Sequence, residues 1–487
     1  MYKLRMSIYF FFTYHGKKIL LAGLVLILVV PAYFGVRQLT RVASRRAGER
    51  AEARALARAT YRFDNMPIED MIYDFEYLIT ALEENWPFFN LSISANNVDV
   101  QEHANNTRAL LDAPDANIDC PIDFLEVIHE HFFEPIDQLG HLRPVRFHEY
   151  VFDNLPDLRL RAVGPSANRN EAFLYEMLTR PDVTVFYSRL MDSGRGVAPT
   201  DTSSLPVMEF DIIEYGEIAH ISINRMINVW DDTINWTREM YHYQALMFDF
   251  NYEIKDFEHL IFDFRGNWGG ISFHFDWFVL SKFIHEEIQL PAYVFYLEGN
   301  YTAQAKEIFD MRTFYPDWYI TDPEFNRFLG YELAMEEVFL THSLPYMDIE
   351  INFANTFLSM YTMSPWHYVY GSFRGARDRV LFNGHIWVLT DEYTASAAES
   401  AVAQMKLNNI ATVVGEPTRG IFGTLYDATR IHLSLPNTGI LVMFDVGYYT
   451  DHYGRPLQGY GIQPHYHNRP GMDALETVLA MINEGSY

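Results

Sequence analysis

Apolar positions along this chain fall into three regimes. Residues 19–36, ILLAGLVLILVVPAYFGV, form an uncharged run just long enough to span a bilayer. From Met71, MIYDFEYLITALEENWPFF sets apolar side chains at 72, 75, 78, 79, 82 and 86, a helical period that Pro87 ends. A second helical stretch, DFLEVIHEHFF, begins near Asp123 after Pro121. Beyond Val207 the pattern changes to short β-branched runs between helical ones, and EIAHISI, HLIFDF, HIWVLT and ATVVGE predict buried strands. Strands alternating with helices predict an α/β core. The resulting division is a membrane anchor with a basic helical stalk (1–60), a helical N-terminal subdomain (61–150) and a variable linking region (151–206). An α/β core (207–470) with an aromatic-rich insertion at about 290–375 and a C-terminal helix (471–487) complete it.

Charge and composition narrow the partners. The formal net charge of −27 excludes nucleic acid as a partner of the bulk of the molecule, which would need a basic footprint. The single cysteine, Cys120, allows no disulfide within the chain, and without a glycine-rich turn around it it is no candidate nucleophile. Arg37, Arg41, Arg45, Arg50, Arg54 and Arg58 recur every four or five residues after the apolar run. They read equally as a stripe lying on anionic lipid headgroups or as a solvated stalk. No small-residue cleavage site follows the run, so an uncleaved single-pass anchor is expected. Lys3, Arg5, Lys17 and Lys18 on one side and the arginines on the other leave the choice of membrane face open.

The candidate chemistry sits at two strand ends. HIWVLT runs into DEYTA, and SAAESAVAQMKLNN then has strong helix formers, so Ser396 stands at a helix N-terminus where backbone N–H groups are free. HLIFDFRGNWGG delivers Asp263 and Arg265 to the end of another strand, followed by a turn with Gly266, Gly269 and Gly270. Taken singly, these are a helix cap and a tight turn with an Asp–Arg pair.

Their order and context resemble the C-terminal-processing, or tail-specific, serine peptidases, relatives of the tricorn core and of the retinoid-binding interphotoreceptor repeats. The matching elements are DFRGNWGG, TASAAE, GEPTRG at 415–420 and GIQP at 461–464. The resemblance implies a crotonase-like β/β/α core, hydrolysis of peptide or protein substrates without cofactor or metal, and work outside the cytoplasm. It implies Ser396 as nucleophile, with the N–H of Ala397 and one from the Gly269–Gly270 turn as oxyanion donors. Asp263, Arg265 and Glu399 are supporting residues. The lysine that follows G-E-x-T-x-G in the processing peptidases is Ile421 here, Arg419 cannot give up its proton, and Lys406 lies off the pattern. That points to the tricorn-like branch, where a histidine from the N-terminal unit, here His141 in EPIDQLGHLRP, acts as base. The branch's glutamate three residues before the G-[IV]-x-P glycine is Gln458, with Asp451 as a substitute carboxylate. This altered third position leaves an alternative open, a weak or inactive relative that binds peptide or apolar ligands. His452, His465 and His467 lack the spacing of a metal site, and residues 151–206 show no PDZ module.

Overall fold

The computed structural model describes residues 47–89, 92, 98–113, 117–136, 139–145, 175–195, 206–226, 236–270, 275, 279–280, 283, 288–297, 299–301, 333–334, 355–363, 382–422, 430–451 and 457–487. Residues 1–64 form one unit and residues 65–487 the other. In the first, residues 47–64 are helical and Arg50, Arg54 and Arg58 are exposed on that helix. The apolar run at 19–36, and Arg37, Arg41 and Arg45, lie outside the described residues; among the described residues no helix is long and apolar enough to cross a membrane.

The second unit opens with helix α1 (Ile68–Asn85), whose face of Met71, Phe75, Leu78 and Leu82 is buried. It stops where Trp86, next to Pro87, turns to extended backbone. Helices α2 (Val100–Leu111) and α3 (Pro121–Ile128) follow, the first capped by Asp99 and the second begun by a proline whose missing N–H has no helical acceptor to lose. A π-helical turn, His129–Phe133, extends α3 toward the short turn Leu139–His141. Helix α4 (Pro181–Asp192) comes next.

Thirteen strands make three sheets among the described residues. The central one has six strands in the order β13-β9-β8-β4-β3-β2: Tyr466–His467, Ala411–Gly415, His385–Thr390, His259–Asp263, Ile218–Ile223 and Met208–Glu214. All its neighbours are parallel except β2 and β3. The four strands predicted from apolar runs are its inner members, and β4 is buried at every position, as expected for a strand covered on both faces. Helices α5 (Trp236–Ile254), α6 (Ala397–Leu407) and α7 (Ala474–Glu484) complete the alternation. Ala474, Val478 and Met481 of α7 pack on Ile261, Trp387, Leu389 and Val414. Burying such side chains contributes roughly 1.5–3 kcal/mol each for the larger ones.

A three-stranded antiparallel sheet pairs β1 (Arg143–Pro144) and β10 (Arg430–Ser434) on either side of β11 (Leu441–Asp445). The third sheet has the order β12-β5-β7-β6: Gly447–Asp451, Ile288–Tyr296, Asn355–Met363 and Leu333–Ala334. Strands β5 and β7 fall at the edge of and within the stretch read as an insertion, and β5 is joined to the core through β12. The fold is mixed α/β with a central, mostly parallel sheet and a helical N-terminal region.

Candidate active site

Strand β8 ends at Thr390, and the next five residues turn back to place Ser396 at the cap of α6. The backbone of Ser396 lies at φ 55° and ψ −116°, outside the ordinary basins of an L-residue. Such a conformation costs on the order of 1–3 kcal/mol and persists only where neighbours enforce it. The enforcing group is Glu399, one turn into the helix, whose Oε2 accepts the Ser396 N–H at 2.8 Å. Its Oε1 accepts from the Thr418 hydroxyl at 2.6 Å and the Gly420 N–H at 2.8 Å, so the GEPTRG segment is tied to α6.

Burial pushes the Glu399 carboxyl up to about 7, although these donors pull it down. The unfolded chain releases this proton near 4.5 and the folded chain near 7. Between those values folding takes up a proton. The stability this group contributes is therefore complete below about pH 4.5 and lost as pH rises through about 7, by a few kcal/mol at most. Urea unfolding across that range is expected to show the decline in the wild type and a flatter profile in Glu399→Gln. The variant's overall stability falls, because an amide N–H must face one of the three donors.

His141 occupies the centre of the site. Its Nε2 lies 3.1 Å from Ser396 Oγ and its Nδ1 2.5 Å from Asp445 Oδ2. A carboxylate only accepts, so Nδ1 carries the proton and donates it, which leaves Nε2 to accept from the serine hydroxyl. His141 and Asp445 are both buried. Local chain geometry explains the approach. His141 and Gly140 have φ of 53° and 51°, a doubled left-handed turn. A Cβ on Gly140 would stand 2.6 Å from the Phe88 ring and 2.7 Å from Trp86 Nε1, so only glycine fits under that aromatic lid. Two residues on, β1 pairs with β11 in the register Arg143↔Met443. The same antiparallel register extended back by two residues sets His141 opposite Asp445.

The group behind His141 is thus Asp445, and not Gln458. Gln458 is fully buried elsewhere: its Oε1 accepts from the Tyr449 N–H at 2.9 Å and its Nε2 donates to the Phe422 carbonyl at 3.1 Å. The amide bridges a donor and an acceptor, a task no carboxylate can perform. Gln458→Glu is therefore expected to give no gain in turnover and to lower stability by on the order of 3 kcal/mol, read by thermal melting, because a carboxylate would face the Phe422 carbonyl.

Other sequence candidates stand apart. Lys406 Nζ donates to the Gln463 carbonyl and His465 Nδ1 accepts the Val413 N–H. His467 is exposed beside Glu416. His452 and the side chain of Asp451 lie outside the described residues. Cys120 donates to Asp123, and burial pushes its thiol up, away from the reactive thiolate.

Asp263 and Arg265 form a paired strut at the end of β4. Three donors of Arg265 meet the Asp263 carboxylate, and Arg265 Nη1 reaches Asp473 Oδ2, which caps α7. Burial alone would raise the Asp263 carboxyl; His220 and Arg265 outweigh it and hold the group below its usual range. The following turn lies against the serine. A Cβ on Gly269 would meet Ala395 O at 2.7 Å, and Ala397 N and Ser396 Cβ at 2.9 Å. The Gly269 N–H itself is donated to Asn267 Oδ1 at 2.8 Å. Trp268 and Tyr393 are exposed on the two loops that meet here, with the Arg419 guanidinium 4.8 Å from the Trp268 ring centre.

Asp445 and Asn267 were not singled out by sequence reasoning. Asp445 had one usable signal: it is a lone acid at the end of the apolar run ILVMFDV, and a carboxylate delivered into a core needs a partner.

The model of Peptidase family S41 matches residues 217–468, just over half of the chain. No curated protein matches the sequence. Among solved structures, mature CPAF complexed with lactacystin is 12% identical over 86% of this chain and 98% of its own, with a TM-score of 0.48. A peptidase candidate from Parabacteroides merdae ATCC 43184 is 17% identical over 84% of this chain and 95% of its own, with a TM-score of 0.45. A lipoprotein from Streptococcus agalactiae is 12% identical over 85% and 96%, with a TM-score of 0.41.

Proposed function

Because the chain belongs to peptidase family S41 and is a serine-type peptidase, we propose that Ser396, His141 and Asp445 are its nucleophile, general base and orienting acid. The observation that carries this reading is the unbroken chain of two hydrogen bonds, Ser396 Oγ to His141 Nε2 and His141 Nδ1 to Asp445, around a buried imidazole. His141 takes the proton as Ser396 Oγ attacks a peptide carbonyl. Asp445 holds the ring in the tautomer that can do so and offsets the imidazolium charge. The carbonyl oxygen, now an anion, receives the N–H of Ala397 and that of Gly270, since the Gly269 N–H is already held by Asn267. His141 then protonates the leaving amine, and water, deprotonated by the same ring, releases the acyl group. Trp268 and Tyr393 flank the serine and are placed to meet substrate residues beside the scissile bond.

This arrangement belongs to the Ser/His, tricorn-like manner of activation, on a crotonase-like core, since Ile421 removes the alternative of a lysine base. The experiment is labelling with a fluorophosphonate probe followed by peptide mapping. A tag on any residue other than Ser396, or no tag on folded protein, would overturn the assignment.

The same reading places the peptidase on a membrane by a single uncleaved span at residues 19–36, with the catalytic unit outside the cytoplasm. The support is the uncharged apolar run and the arginines that follow it. A reporter fused after residue 60 tests the orientation: activity of a reporter that works only in the cytoplasm would reverse it.

A further inference from the structure

We infer that Asn267 is a positioning residue for one side of the oxyanion hole, holding Gly269 so that the peptide plane after it presents the Gly270 N–H to the reacting carbonyl. The inference rests on the Ser396-centred reading above and adds to it a residue that never touches substrate.

The side chain of Asn267 is fully buried and uses both ends of its amide. Nδ2 donates to the Ile223 carbonyl at 2.7 Å, at the end of β3, and Oδ1 accepts the Gly269 N–H at 2.8 Å. Its own carbonyl accepts the Ala395 N–H at 2.9 Å, one residue before the nucleophile, and its N–H donates to Phe264 at 3.1 Å. One residue thus joins β3, the end of β4 and the loop carrying Ser396.

The consequence falls on Gly270. Gly269 has two backbone groups, and both are held: its N–H by Asn267, its carbonyl by the Met226 N–H at 3.2 Å. The carbonyl of Gly269 and the N–H of Gly270 belong to one trans peptide and point in opposite directions. Fixing Gly269 at both groups therefore fixes the Gly270 N–H, with no bond made to that N–H itself. The positive φ of Gly269 and Gly270, 92° and 138°, lets the turn lie this close to Ser396.

Only a carboxamide serves. Aspartate could accept from Gly269 but would set an oxygen against the Ile223 carbonyl at a fully buried position. Alanine leaves both Ile223 O and Gly269 N–H without their partner, so that of the two bonds that fix Gly269 only the one from the Met226 N–H remains.

The test uses the full chain and the variants Asn267→Ala and Asn267→Asp, with Ser396→Ala as a control. The measurements are kcat and KM on a peptide substrate, the acid limb of the pH–rate profile, and affinity for a peptide aldehyde whose adduct with serine places an oxyanion in the hole. Loss of an aligned donor is expected to lower kcat by about 10²–10³-fold and to weaken the aldehyde by a similar factor. KM and the pH of the acid limb, which reports His141, stay as in the wild type. A purely structural role predicts a different outcome: equal losses in active fraction, seen as reduced probe-titratable serine with unchanged kcat per labelled site. That result overturns the inference, as do a kcat within threefold of wild type in Asn267→Ala, a shifted acid limb, or failure of both variants to fold. If Ser396→Ala retains probe labelling, the reading of the site itself falls, whatever Asn267 does.

Discussion

Ser396→Ala is expected to abolish peptide hydrolysis, with a fall in kcat on the order of 10⁵–10⁶-fold to the residual level that binding and oxyanion donors sustain. The expectation follows from geometry. The Ser396 hydroxyl is hydrogen-bonded to His141, and the turn at Gly269 is packed against Ser396 and its neighbours Ala395 and Ala397. Folding should survive, since the Ser396 N–H, and not its hydroxyl, carries the bond to Glu399. Alanine at a backbone φ of 55° is strained to a similar degree as serine, so thermal stability changes by about 1 kcal/mol or less. Retained turnover in a protein that melts normally would sink the assignment. So would retained labelling at another residue.

Asp445→Asn comes second in size. The variant keeps volume and loses charge, and its amide can turn its NH₂ toward His141 Nδ1. The ring then moves its proton to Nε2, where it donates to Ser396 and can no longer take the hydroxyl's proton. Such a tautomer reversal lowers kcat by about 10⁴-fold in a comparable triad. KM should be little changed, because Asp445 is buried behind the histidine and meets no substrate. Raising the pH should restore part of the rate as hydroxide deprotonates the serine without the base. A loss confined to KM, or none at all, would show that Asp445 does not orient His141. The competing picture of a silent ligand-binding relative drew on Gln458 and on the aromatic-rich insertion; with Asp445 on the imidazole, Gln458 is a structural bridge and the first of these supports is gone.

What could be read from the chain without coordinates follows the range of the forces involved. The inner strands β3, β4, β8 and β9 were legible because strands covered on both faces must be apolar throughout. Ser396 and the glycine turn were legible because a strand end meeting a helix start is a local pattern. His141 came from a resemblance, since nothing in DQLGHLRP marks a base by itself. Asp445 could not be paired with His141 from sequence for a physical reason. Its partner lies 304 residues earlier, and what unites them is the β1–β11 register, fixed by a two-residue strand too short to show any period. Gln458 was misplaced because a spacing from the G-[IV]-x-P element is no guarantee of direction: the amide is held by the Tyr449 N–H and the Phe422 carbonyl. The pairing of β5 with β12 was likewise out of reach, because an aromatic-rich stretch reads the same whether it stands alone or joins the core.

That separation of His141 and Asp445 also orders events during synthesis. His141 is made first, Ser396 255 residues later and Asp445 304 residues after His141. At roughly 5–20 residues per second the ribosome takes tens of seconds to cover that distance. Throughout it, the emerging chain lacks at least one of the three side chains joined by these hydrogen bonds. The three side chains can meet only once the antiparallel ladder that carries Asp445 has been made.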